Sequence, residues 1–178
     1  MPSSHATLGP SASARWLTCT ASVAMEELAP PRPEANFAQE GTLAHELAEL
    51  TASRELGLVP ARDLESRFVA WEKEAREFFG DSADQELEAM HDFVGWYVDF
   101  LEEARGLDGI VFLEQRLPAG VEGCWGTSDA VVVTPDTVHI VDFKYGKGVE
   151  VSPVENPQLM LYALGALDKY RDLLDTTT

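Results

Sequence analysis

The sequence predicts an α/β fold in the order helices, strands, helix, and three observations carry that prediction. Apolar residues recur at helical spacing through residues 37–105, β-branched runs replace that period from Ile110, and Asn156-Pro157 opens a last apolar-periodic stretch. At 178 residues the chain fits a single domain, 1–178, with a mainly helical part at 1–109 and strands plus a helix at 110–178.

SASARWLTCTASVAMEEL at 11–28 begins with cap-type serines and is expected to form a first helix, closed by the breaker APPRPEAN. FAQEGTLAHELAELTASRELG at 37–57 sets Leu43, Leu47 and Leu50 at helical spacing, with Gly57 where a C-terminal cap falls. Residues 61–79 and 84–105 read as two more helices. In the second, Leu87, Met90, Val94, Tyr97, Val98 and Leu101 form one apolar stripe, read as core, and Gly106 ends it.

From Ile110 to Leu117 the chain reads as a strand, and PAGVEGCWG as a loop. In GTSDAVVVTPDTVHIVDFKYGKG at 126–148, two β-branched runs flank Thr134-Pro135-Asp136-Thr137, which has turn chemistry. If Pro135 and Asp136 are the central turn residues, Asp129 faces Asp142 across the hairpin, and Lys144 follows on the same face. Asn156-Pro157 is a good N-cap and first-turn pair. The helix it opens, QLMLYALGALDKYRDLL, brings Gln158, Tyr162, Ala166 and Leu167 near one another on its surface.

Charge narrows the function classes. The net −18 divides into −13 over residues 1–110 (8 basic, 21 acidic) and −5 over 111–178 (5 basic, 10 acidic). Nucleic-acid binders usually present a basic face, so a DNA-directed role needs either metal ions that neutralise a local acidic site or a channel that is basic inside an acidic molecule. No run approaches the ~20 apolar residues of a membrane span, and MPSSHATLGP lacks a basic start and an apolar signal core. The expectation is a cytoplasmic protein with no membrane partner. Cys19 and Cys124 are too few for a four-cysteine cluster and are read as packing residues.

Two carboxylates followed by a lysine suit divalent metal and phosphodiester hydrolysis. Carboxylates are hard oxygen ligands for Mg²⁺ or Mn²⁺, and a lysine can orient a water or stabilise developing charge. The alternative is a surface hairpin whose Asp129, Asp142 and Lys144 form a weak ion-pair cluster. Against it, Asp142 and Lys144 directly follow buried-type residues, where a carboxylate without a partner is costly. His45 lies in GTLAHELAE beside the leucine stripe; His45-Glu46-x-x-Glu49 lacks the second histidine of a zinc peptidase, so that class is set aside.

Taken in order, EGTLAH at 40–45, GTSDAV at 126–131, VDFKYGKG at 141–148 and Gln158-x-x-x-Tyr162 resemble the PD-(D/E)xK nuclease superfamily. Within it they resemble the RecB-like nucleases. With ASARWLTC upstream, EGTLAH is similar to a group of phage and prophage proteins classed as a domain of unknown function and related to phage recombination exonucleases.

The resemblance implies a restriction-endonuclease-like core, with a small mixed sheet over residues 110–144 between an N-terminal helical region carrying His45 and the Gln158 helix. It implies a Mg²⁺- or Mn²⁺-dependent deoxyribonuclease, exonucleolytic, in phage recombination or DNA processing. Asp129 and Asp142 match metal ligands, Lys144 the catalytic lysine, and His45 an additional ligand, with the backbone carbonyl of Phe143 completing the set. Gln158 and Tyr162 match the helix motif that supports the site or contacts DNA; Glu114 on the preceding strand and Glu40 just before the histidine helix are weaker matches. No iron-sulphur cluster is expected, since that branch needs four cysteines.

The implied partner is DNA, and the same resemblance admits a phage recombination or single-strand-binding protein. Ring-forming relatives leave a homo-oligomer open. Related phage proteins continue past the Gln158 helix, whereas this sequence stops at LLDTTT, so a shortened or compact member is expected. The rival reading keeps the fold without the activity: a protein-binding or regulatory module, which the net charge favours.

Overall fold

Where the helical period gives way to β-branched residues, the backbone changes with it. The computed structural model describes residues 6–30, 36–146 and 151–174. A 3₁₀ turn at Pro10–Ala12 leads into α1 (Ser13–Thr18) and α2 (Ala21–Glu27), followed by α3 (Asn36–Glu55), α4 (Ala61–Phe79) and α5 (Ala83–Arg105). Strands β1 (Ile110–Pro118), β2 (Trp125–Val133) and β3 (Val138–Val141) come next, then α6 (Pro157–Lys169) and a 3₁₀ turn at Arg171–Leu173. No helix among the described residues is long and apolar enough to cross a membrane.

Contacts divide the chain into two compact units. A strand unit takes the described residues of Met1–Pro33, Leu107–Asp142 and Val149–Thr178; a helical unit takes those of Glu34–Gly106 and Phe143–Gly148. The chain passes from the first to the second between Asp142 and Phe143.

In the strand unit the sheet order is β1-β2-β3, with both pairings antiparallel. The expected mixed sheet is therefore corrected: among the described residues all three strands are antiparallel. Short connections at 119–124 and 134–137 return each strand beside its predecessor, whereas a parallel neighbour needs a long crossover. Pairs Ala130↔Val141 and Val133↔Val138 give the hairpin the register that the Pro135-Asp136 turn implies. Along β2, Ala130 to Val133 are all buried, which explains a continuous β-branched run rather than alternation.

Helix α6 lies on this sheet through Tyr162, Ala166 and its C-cap Tyr170, packed with Leu117, Val131 and Val133. Its start is as read, with the Asn156 side chain accepting from the backbone N–H of Gln158 and Leu159. The contact is close: a Cβ on Gly165 would stand 2.2 Å from the Pro118 carbonyl oxygen, and one on Gly126 would stand 2.8 Å from the Tyr162 hydroxyl. Gly165 shares the buried face with Tyr162 and Ala166, while Leu167 is exposed. At about 100° per residue Gly165 falls about 60° from Tyr162 around the helix and Leu167 about 140° from it, off the buried face.

Two further expectations are corrected here. The single helix over 11–28 is two short ones, interrupted at Cys19, whose φ of −138° is extended. Cys19 is exposed, so only Cys124 is a packing residue.

In the helical unit, α3 buries Leu43, Leu47 and Leu50, and α5 buries the whole predicted stripe from Leu87 to Leu101. The Trp71 indole N–H of α4 donates to the Leu43 carbonyl at 2.8 Å, so a large buried ring keeps its polar atom paired. Helix α3 ends as Gly57 predicts. Gly57 has φ +69°, its N–H bonds the Arg54 carbonyl, and the Leu58 N–H bonds the Ser53 carbonyl, which is a Schellman cap.

Candidate functional site

In the strand unit the acidic candidates line up across the sheet. Leu113↔Ala130 and Gln115↔Ser128 bracket Glu114 and Asp129, while Ala130↔Val141 is the last pair before Asp129 and Asp142. The register thus sets Glu114, Asp129 and Asp142 at one level on three neighbouring strands, Asp142 being the first residue past β3. Directly opposed residues of antiparallel strands share a face. Asp129 and Asp142 are half-buried and Glu114 is exposed.

Glu114 has φ +50°, a left-handed conformation that a residue with a Cβ adopts rarely. Phe112 and Leu117 lie an odd number of residues apart yet pack in the same core, so alternation along β1 breaks between them, where Glu114 stands. Nothing in the residue types of IVFLEQRLP signals this break.

Helix α6 closes the strand set from above. The Gln158 side-chain amide donates to Asp142 Oδ1 at 2.9 Å. One turn on, the buried Tyr162 hydroxyl is pushed up to about 12, first by burial; a hydrogen bond with Gln158 works against the shift, and the carboxylates of Asp142, Asp129 and Glu114 add to it. All three carboxylates are therefore felt at one buried phenol. Gly126 supplies the room for that ring, a role that its place in GTSDAV does not announce.

His45, Glu40, Phe143 and Lys144 belong to the helical unit. His45, half-buried on α3, meets the Phe143 ring edge-on with centroids 5.3 Å apart. Phe143 is buried and also packs edge-on with Tyr97 and Phe93 of α5, so the residue between Asp142 and Lys144 is an aromatic anchor. Lys144 is exposed. Glu40 lies within α3 rather than ahead of it, because the helix starts at Asn36; its carboxylate stands 3.8 Å from where a Cβ on Gly146 would be.

The oxygen donors fit a hard divalent cation. Asp129 and Asp142 offer carboxylates at facing positions, one of them oriented by Gln158, which is the donor chemistry of Mg²⁺ or Mn²⁺ sites. Among the described residues no three His, Cys, Asp or Glu side chains stand together as a ready metal-holding group. Cys124, whose thiol burial pushes up, is held away from the thiolate form that soft metals use.

No solved structure matches this chain. Residues 5–178 match the family described as "Protein of unknown function (DUF2800)", and the chain belongs to that family.

Proposed function

We propose that this chain is a Mg²⁺- or Mn²⁺-dependent deoxyribonuclease with a PD-(D/E)xK-type core, acting exonucleolytically in phage recombination or DNA processing. The observation that carries the reading is the alignment of Glu114, Asp129 and Asp142 across three strands beneath Gln158 and Tyr162. Asp129 and Asp142 are the residues that would hold the metal, with His45 and the Phe143 carbonyl as the further ligands that the resemblance implies. A bound divalent ion supplies Lewis acidity and a water of lowered pKa.

The chain's own groups do the rest. Gln158 fixes one oxygen of Asp142 and keeps it from rotating away. Tyr162, held protonated, presents a neutral phenol beside the carboxylates. Lys144, two residues past Asp142 and exposed, is the cation that orients the attacking water and offsets charge on the phosphate.

A second reading is favoured by the net charge of −18: a nuclease-type fold that binds a protein and cleaves nothing. Incubation of end-labelled linear and circular DNA with Mg²⁺, Mn²⁺ or EDTA, beside Lys144→Ala, separates the two. Metal-dependent loss of linear DNA alone, abolished by the substitution, supports the exonuclease; cut circles make it an endonuclease. No cleavage, with no electrophoretic shift of DNA, leaves the binding module.

A further inference from the structure

Helix α5 carries a second apolar stripe besides the one it buries. Phe93, Trp96 and Phe100 recur at helical spacing on its other face and are 37%, 69% and 49% exposed. Phe93 and Trp96 lie with ring centroids 6.0 Å apart, and Phe93 leans on Phe143 and Tyr145 at its inner side. Asp92 and Asp99, both exposed, stand one turn before and after Trp96. From Ala83 to Ala104 every charged side chain is a carboxylate, His91 apart.

Large exposed aromatics in one row mark an interaction face, and their acidic border selects what meets them. A nucleic-acid strand would bring phosphates against Asp92 and Asp99, and between Ala83 and Ala104 helix α5 has no lysine or arginine to offset them. A second copy would bring the same acidic border, on a chain of net charge −18. A segment with an apolar stripe edged by lysines and arginines satisfies both parts, and its cations can also stack on Trp96.

We propose that the Phe93-Trp96-Phe100 face of α5, with Asp92 and Asp99, docks a basic amphipathic helix of a partner protein. This goes beyond the nuclease reading and stands or falls without it.

Fluorescence anisotropy of the full chain tests it with a labelled Lys/Leu amphipathic peptide of about five turns, a Glu/Leu peptide of the same pattern and a scrambled Lys/Leu peptide. The Lys/Leu helix binds and the other two do not. Trp96→Gln with Phe100→Gln weakens binding by roughly tenfold or more, as loss of interface aromatics does. Asp92→Asn with Asp99→Asn weakens it severalfold and flattens its salt dependence. Both pairs are exposed, and far-ultraviolet circular dichroism checks that each variant stays folded.

Undiminished affinity in either double variant overturns the proposal, as does equal binding of the Glu/Leu or scrambled peptide. So does a dimer in sedimentation that the aromatic variant dissolves, which makes a second copy the occupant. A shift of single-stranded oligonucleotide lost in that variant makes nucleic acid the occupant.

Discussion

Gln158 and Asp142 are joined by a 2.9 Å hydrogen bond from amide to carboxylate, which ties the first turn of α6 to the residue that ends β3. Gln158 is positioned in turn by Asn156, which caps the same turn. Replacing Gln158 with Leu keeps the helix and removes the donor. Bonds to charged groups are worth roughly 1.5–3 kcal/mol, and half-burial of Asp142 puts the loss at the lower end, about 1.5 kcal/mol. Urea denaturation should show a lower midpoint with unchanged slope; an unmoved midpoint would mean that the bond does not hold in solution.

The approach of α6 to β1 makes a sharper demand. Gly165→Ala would drive a methyl into the Pro118 carbonyl, with 2.2 Å between centres, so the helix must lift from the sheet. Overpacking of this kind costs about 1–3 kcal/mol, and a backbone neighbour puts it at the upper end. Gly95→Ala in α5 is the control: nothing lies within 4 Å of its Cβ position, and alanine is the better helix former by about 1 kcal/mol. Thermal melts should move in opposite directions; a harmless Gly165→Ala would refute the close packing.

Tyr162 predicts an alkaline limb. Its folded pKa of about 12 lies above the ordinary 10 because of burial and neighbouring carboxylates. The unfolded chain therefore ionises first, so stability that is fully present below pH 10 is lost as pH rises from 10 through 12. At about 1.4 kcal/mol per unit, the full loss is on the order of 2–3 kcal/mol. Tyr170 and Tyr145 are also raised and add to it. In EDTA, Tyr162→Phe should shallow this limb without abolishing it, and a phenolate titration should lose its highest step. An identical limb in the variant would mean that Tyr162 ionises like an exposed phenol.

How far the residues announced these relationships varies with how local the cause is. Asn156-Pro157, Gly57 and the Thr134–Thr137 turn act within a few residues, and each stands as its chemistry dictates. The hairpin register followed from turn length alone, and with it the facing positions of Asp129 and Asp142. Glu114's left-handed backbone, the Gly126 and Gly165 clearances and the Phe143 anchor depend on contacts far along the chain. The break at Cys19 within an apparently continuous helical pattern is likewise invisible to periodicity, because short helices draw their stability from packing.

The facing carboxylates give the reading its most direct test. If Asp129 and Asp142 hold a divalent ion, that ion binds the folded chain, where the hairpin register brings the two positions together, in preference to the unfolded one. Binding to the folded state alone stabilises by mass action, about 2.7 kcal/mol at a hundred times Kd. Asp129→Asn and Asp142→Asn keep side-chain shape and one oxygen but remove a charge, and the second keeps an acceptor for Gln158. Melting temperature should therefore rise with Mn²⁺ in the parent chain and stay nearly flat in either variant, with Lys144→Ala still responding because lysine is not a ligand. A parent chain indifferent to Mn²⁺, or variants that gain as much as it does, would remove these carboxylates from any metal site, whatever cleavage assays return.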